Sequence, residues 1–337
     1  MPISHRSHPL GKCVTVFGEI LLRLDTTGCN RFVQERMFAA RYTGAEANVA
    51  VALAQLGLNT AAVSAVPDQD LGQACINTLR RYGVDTEFVL KGGDRLGILY
   101  VENGASQRAP RIIYDRKGSS FSRLKPGQFS WPDILKGSDW LHLSGISPAL
   151  GPGPRAAQLA SLRSARKLGL KISYDSNYRT SLWSLTSARK VLPKMIEGVD
   201  LFLGTPHDAR LLFGIKGDPV ASAQELRKKF GIGCVAMTFR EVPNSTINHL
   251  KGIIVSANGI EESRSYEIHI VDRIGAGDAF AAGMIYGALA GWPDKQVIEF
   301  ATAACCLKHS IPGDFNLSTL EEVNELARTG ESGRIRR

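Results

Sequence analysis

The sequence predicts an α/β fold: a three-layer α/β/α core with a mostly parallel central sheet and a small β-sheet lid. Three observations carry that expectation. Short apolar runs of strand length alternate with helix-period runs through most of the 337 residues, as in a parallel sheet covered by helices. Two stretches, about 25–43 and 88–122, interrupt the alternation with strand-like pieces and polar, glycine-bearing turns. Between Tyr266 and Leu289 a strand-like run meets a glycine turn and then a long run of small and apolar residues. Ligands of open α/β sheets bind at the carboxyl ends of the strands, and a lid there excludes water.

Taken in order, Cys13–Leu24 is apolar and alternating up to Gly18–Glu19 and reads as a first, partly buried strand. Polar text follows from Asp25 to Arg41, and residues 32–43 read as a strand of the small sheet. Small residues from Thr43 lead into Val49, Ala50, Leu53 and Leu56 on one helical face, and Gly57 is a natural stop. Thr60–Val66 reads as a strand, and Asp70 to about Tyr82 as a helix closed by Gly83–Asp85. Gly97–Val101 and Ile112–Tyr114 are the strand-like pieces of the second insertion. Asp139–Ser144 and Lys171–Asp175 are core strands, with a helix over about Pro154–Leu168 between them. Asp200–Gly204 and Cys234–Thr238 are further strands, and residues 242–270 form a hairpin-like region. Helices follow the glycine turn, over Asp294–Leu307 and over Ser318–Ala327.

The 44% hydrophobic and 22% charged fractions are those of a globular protein. No apolar run approaches the roughly 18–20 residues needed to span a membrane. The formal net charge is +9, but Lys and Arg are spread along the chain, with short clusters only, such as Arg227–Lys229 and Arg334–Arg337. That distribution fits a solvated surface that attracts anionic ligands better than a nucleic-acid surface, so neither nucleic acid nor membrane is expected as a partner. The six cysteines (Cys13, Cys29, Cys75, Cys234, Cys305 and Cys306) contain no C-x-x-C pair, and reduced thiols in a cytoplasmic protein are expected. Residues 1–12 lack the apolar segment of a signal peptide; they and residues 328–337 read as disordered tails.

The chemistry concentrates in Asp272–Gly283. Gly275, Ala276 and Gly277 form a turn at a helix start, where successive N–H groups and the helix dipole make an anion site. Residues this small let a phosphate approach the backbone. Asp278 falls in the first helical turn beside that anion, where a carboxylate is repelled by polyphosphate unless it has a task. One reading makes it a general base that takes a proton from a substrate hydroxyl during phosphoryl transfer; the other makes it a helix cap. At the end of a lid strand, Tyr114, Arg116 and Lys117 set a phenol and two cations together, either as a site for an anionic substrate group or as a solvated turn.

The Gly275–Asp278 turn, in the last third of the chain, closely resembles the signature of the ribokinase-like (PfkB) carbohydrate kinases. Other stretches agree in the family's order. Gly44, Ala45 and Asn48 match its Gly-Gly-Ala-x-x-Asn sugar motif, with Thr43 at the first glycine. Asp175, Asn177 and Arg179, followed by Leu182–Trp183, resemble the branch that contains 2-keto-3-deoxygluconate kinases, as do Thr238–Glu241 and Leu307–Asp314. Thr205 and Asp208 stand where the family has the Asn-x-x-Glu that helps place magnesium.

The resemblance covers residues 13–327 and implies one kinase domain that uses ATP and Mg2+. It implies catalytic roles for Asp278, Gly275, Ala276 and Gly277. Around the substrate it sets Gly44, Ala45, Asn48, Tyr114, Arg116, Asp175 and Arg179. Around the nucleotide it sets Asn177, Thr238, Arg240, Gly275, Gly277, Ala304 and Lys308, although Arg240 reads equally as a surface arginine. Asp208 and Asp272 are the implied metal-site residues, Asp272 with a monovalent cation such as K+. Two arginines, Arg116 and Arg179, favour a sugar acid, because a neutral sugar leaves them unpaired in a closed site. The expected partner is a sugar or sugar acid, foremost 2-keto-3-deoxygluconate phosphorylated at its 6-hydroxyl, and a homodimer through the lid is expected.

The alternative within the family is a fructokinase or another neutral-sugar or nucleoside kinase. Leu99 favours it, since sugar-acid kinases often carry a tyrosine near that lid position, although Tyr100 is adjacent. The alternative from another class is a catalytically silent sugar sensor on the same fold, resting on Thr205–Asp208. A dinucleotide-dependent dehydrogenase needs its glycine fingerprint after the first strand, and this turn lies near the other end.

Overall fold

The computed structural model describes residues 10–330 apart from 242, 243 and 245. The chain opens with β1 (Cys13–Phe17), leaves the core for β2 (Leu21–Thr26) and β3 (Phe38–Thr43), and returns through α1 (Ala45–Gln55), β4 (Asn59–Val66), α2 (Asp70–Arg81), β5 (Val84–Asp85) and β6 (Val89–Lys91). It leaves again for β7 (Gly97–Glu102) and β8 (Arg111–Asp115). Then come α3 (Trp131–Ile134), β9 (Trp140–Ser144), α4 (Pro152–Leu168), β10 (Lys171–Asp175), α5 (Leu185–Ile196), β11 (Leu201–Gly204), α6 (Pro206–Phe213), α7 (Pro219–Phe230) and β12 (Cys234–Glu241). The chain ends with β13 (Ile247–Ser256), β14 (Gly259–Glu262), β15 (Tyr266–His269), α8 (Ala276–Leu289), α9 (Asp294–Lys308) and α10 (Leu320–Thr329).

The main sheet has 11 strands in the order β14-β13-β12-β11-β10-β9-β1-β4-β5, with β15 joined to β13 and β6 to β4. Neighbours from β12 to β5 run parallel, and β13 turns back antiparallel. Successive strand residues face opposite sides. Leu201 and Leu203 accordingly pack with α1, α8 and α9, whereas Phe202 packs with α4–α7. This division makes the three layers. Helices α8 and α9 approach closely because their facing residues are small: a Cβ on Gly283 would stand 2.6 Å from Ala301 Cα. The second sheet has four strands in the order β3-β2-β7-β8, and Leu21, Leu99 and Val101 form its own small core. It is the expected lid with different bounds: it takes in β2, ahead of the segment expected from residue 25, and it begins its second part at Gly97, because β6, inside the segment expected from residue 88, pairs with β4 of the main sheet.

The structure corrects several boundaries. Cys13–Leu24 is two strands, not one: the chain breaks at Gly18–Glu19, and β2 joins the lid. Glu19 is the reason, since its buried carboxylate turns inward to meet Arg116. Only Phe38–Thr43 of the strand expected over 32–43 is extended; residues ahead of it form turns around the Glu35 carboxylate. The hairpin-like region holds three strands, with residues 242, 243 and 245 outside the described set. Helices α5, α6 and α7 have no counterpart in the sequence reading. Of the expected tails, 1–9 and 331–337 lie outside the described residues, whereas Arg328 and Thr329 complete α10. All six cysteines are free. No helix among the described residues is long and apolar enough to cross a membrane.

Candidate active site

A cleft of about 810 Å³ separates the lid from the carboxyl ends of the core strands, a volume suited to small-molecule ligands. Leu21, Leu99, Ile112 and Tyr114 line it from the lid, Asp175, Gly204 and Thr238 from the core, and Gly275, Gly277 and Asp278 from the start of α8.

Local sequence sets the geometry of that helix start. Gly275 caps α8 with φ 85°, and a Cβ there would press into the backbone oxygen of Asp314; only glycine meets both demands. At Gly277 a Cβ would meet nothing within 4 Å. No side chain caps the helix, so its first N–H groups are left for a ligand, and the dipole favours an anion. Ala276 is buried outside the cleft lining, and its N–H turns back to Arg273 O at 3.4 Å.

Asp278 sits on the cleft floor, 8% exposed. Asn48 Nδ2 donates to its Oδ2 at 2.7 Å. The Thr43 hydroxyl lies 3.0 Å from Asn48 Oδ1 and against the Asp314 carboxylate. The side chain that replaces the motif's first glycine therefore helps to orient Asn48. Burial pushes the Asp278 carboxyl up to about 8, the carboxylates of Asp175 and Asp314 add to this, and Asn48 and Arg179 oppose it. Asp175 is raised to about 7, again chiefly by burial. Two carboxyl groups that titrate near neutrality in one cleft are suited to accept a proton from a ligand.

Asp175 Oδ1 accepts the N–H of Asn177 at 2.9 Å, and Asn177 adopts φ 35°. Asparagine tolerates a left-handed backbone better than most residues other than glycine. The turn brings Asn177, Tyr178 and Arg179 to the cleft wall. Arg179 is exposed and makes no side-chain hydrogen bond or ion pair among the described residues. An uncapped helix start, a buried carboxyl beside it and a cation across the cleft are the kinds of group that transfer of a phosphoryl group to a hydroxyl calls for.

Known proteins agree. Residues 12–314 match the model for pfkB family carbohydrate kinases. The chain belongs to that family. It is 40% identical to the 2-dehydro-3-deoxygluconokinase of Thermotoga maritima, whose crystal structure superposes with a TM-score of 0.92 over 94% of this chain and 98% of that one. It is 31% identical over 321 residues to the 2-dehydro-3-deoxygalactonokinase of Haloferax volcanii (95% of this chain, 98% of the relative). It is 29% identical over 312 residues to the 2-dehydro-3-deoxygluconokinase of Bacillus subtilis (91% and 93%).

The cleft of this pfkB kinase gathers Gly44, Ala45, Asn48, Tyr114, Arg116, Asp175, Asn177, Arg179, Asp208, Thr238, Arg240, Gly275, Gly277 and Asp278. It leaves out Ala304 and Lys308, which were expected at the nucleotide. Both are fully buried, and Lys308 donates to the backbone oxygens of Asp272 and Ile311. Asp272, expected at a metal, is also outside the main cleft: its carboxylate accepts from Arg23 and from the N–H groups of Ile274 and Gly313. Arg116 lines the cleft, but its Nε already donates to Glu19 Oε2 at 2.6 Å. A neutral ligand would therefore not leave it unpaired, and Arg179 alone keeps that argument. Asp208 closes a capping box with Thr205 at the start of α6 and also accepts from Ser176, all on Oδ2. Tyr100 lies on the lid face away from Leu99, packing on Phe38; the phenol at the cleft is Tyr114, which pairs with Leu99 across β7 and β8.

Sequence reasoning missed a buried charge cluster. Arg23, 1% exposed, contacts Asp25, Asp272 and Asp314, and Arg41 reaches Asp25 at 2.6 Å. The signal was present as the charges of Arg23 and Asp25 among the leucines of the Leu21–Thr26 strand. Such residues are seldom fully buried unless paired.

Proposed function

We propose that this protein transfers the γ-phosphoryl group of ATP to the 6-hydroxyl of a 2-keto-3-deoxy sugar acid, with 2-keto-3-deoxygluconate as the foremost substrate. The observation that carries the reading is Asp278, a buried carboxyl raised to about 8 at the uncapped start of α8. The acceptor hydroxyl loses its proton to Asp278 as its oxygen attacks the γ-phosphorus. The bond from that phosphorus to the β,γ-bridging oxygen breaks, and ADP leaves. The backbone N–H groups of Gly275 and Gly277, which line the cleft, stabilise charge on the transferring group. Arg179 pairs with the substrate carboxylate.

No cluster of three or more metal-ligating side chains occurs among the described residues. Asp208 Oδ1 makes no hydrogen bond among the described residues, and one such carboxylate oxygen fits a magnesium ion that would be held mainly by phosphates and water. The ion would neutralise charge on the phosphates.

Support for the substrate comes from Arg179 and from relatives named for 2-dehydro-3-deoxygluconate, the same compound. The Haloferax relative is named for the galacto epimer, so both epimers belong in the test. ADP release with Mg·ATP is measured on the two keto-deoxy acids, gluconate, fructose, ribose and adenosine. Turnover confined to the keto-deoxy acids is the expected result; turnover on a neutral acceptor with none on those acids refutes the substrate reading.

The lid is the proposed contact between two copies of the chain. Val33 is 92% exposed and Met37 74%, and Phe38 and Ile113 of the lid are exposed too. The outer strands β3 and β8 also leave their edges open.

A further inference from the structure

We infer that Lys308 is a built-in replacement for the monovalent cation that the family resemblance implies beside Asp272, and that this kinase works without K+. Lys308 ends α9, is 0% exposed, and extends its ammonium between two loops. One is the Asp272–Gly275 turn that starts α8, and the other is the 309–314 loop whose Asp314 oxygen stands against Gly275. The ammonium donates to Asp272 O and Ile311 O at 3.1 Å each. Those two carbonyls face a cation already, and it is covalently attached to the chain.

The surrounding charges leave no call for another cation. Among the described residues the cluster holds three carboxylates, Asp25, Asp272 and Asp314, against three cations, Arg23, Arg41 and Lys308. A potassium ion at the same carbonyls would meet the Lys308 charge at contact distance, where like charges repel strongly in a low-dielectric site. The residues present therefore do not fit a monovalent metal ion. Lys308 acts as a positioning residue: it ties the α8 turn to the loop that packs against it.

The inference rests on the phosphoryl-transfer reading for its catalytic consequence, but melting tests it without reference to any acceptor. Wild type and Lys308→Met are melted in potassium chloride and in tetramethylammonium chloride at matched ionic strength, and turnover is measured in parallel. Wild type should melt at the same temperature in both salts, with turnover equal within about two-fold, since only screening acts. Lys308→Met should melt roughly 5 °C lower. Potassium, but not the bulky tetramethylammonium, should restore part of that loss by entering the vacated place. A wild-type enzyme selectively stabilised or activated by potassium overturns the inference. So does a Lys308→Met chain that melts like wild type and ignores potassium. If Lys308→Met does not fold, the wild-type comparison decides alone. A wrong acceptor would abolish turnover but leave the melting result intact, so the two failures are distinguishable.

Discussion

At the scale of single residues, Asp278 is held protonated by burial when the cleft is empty, yet a base must be ionised. The expected kcat/KM therefore rises with pH and levels off above an apparent pKa between about 7 and about 8, the values of Asp175 and Asp278. The two interact, so the limb belongs to the pair. A flat profile from pH 5 to 9 contradicts the assignment. Stability has the opposite sign. A carboxyl whose folded pKa is raised contributes stability at low pH that is lost as pH rises through the folded value. Asp278→Asn should thus melt above wild type at pH 9 and show little advantage at pH 4. The two arginines also separate. Arg179→Ala should raise KM for a sugar acid by roughly 10–100-fold with little change in stability, the loss of a charged hydrogen bond. Arg116→Ala strands the buried Glu19 carboxylate and should cost about 3–5 kcal/mol of stability, measured by urea unfolding. The cleft residues were legible where a motif was local, as at Gly44–Asn48 and Gly275–Asp278. Glu19, Arg23 and Asp314 were not, because their partners lie 97, 249 and 291 positions away along the chain.

Among the elements, α8 joins the chemistry to the core. Its first turn faces the cleft, while Gly283 and Gly287 let α9 close on its middle. Gly283→Val should destabilise the fold by about 1–3 kcal/mol through overpacking against the Ala301 backbone; an unchanged unfolding midpoint would show that α8 can shift. The run of small residues made this helix readable in the sequence. The core strands were readable too, because buried parallel strands are continuous apolar runs. By contrast, α5 carries an internal Pro193 and α6 is eight residues long, so neither gave a sustained helical period. β2 was hidden because its apolar residues continue those of β1 across the short break at Gly18, Glu19 and Ile20, and only tertiary pairing assigns it to the lid.

At the level of the whole molecule, the two polar insertions meet as one sheet over the carboxyl ends of the core strands. Their parallel β2–β7 pairing joins segments far apart along the chain, with Leu21 opposite Gly97. A lid sheet built from two insertions was expected from the broken strand–helix alternation, but the β2–β7 pairing was not, since β2 read as part of the first core strand. If the lid's outer face joins two copies, light scattering at assay concentration should give twice the 36.6 kDa chain mass, and Val33→Glu with Met37→Glu should halve it. A wild-type monomer removes the dimer. The proposed reaction transfers a phosphoryl group to a sugar acid in the cleft with Asp278 as base. The direct measurement is ADP formation from Mg·ATP and 2-keto-3-deoxygluconate by wild type and by Asp278→Asn, with the fold of both verified by melting. Wild type should turn over, and the variant should lose about 10²–10⁴-fold. Near-normal turnover in a folded Asp278→Asn enzyme would contradict Asp278 as the base.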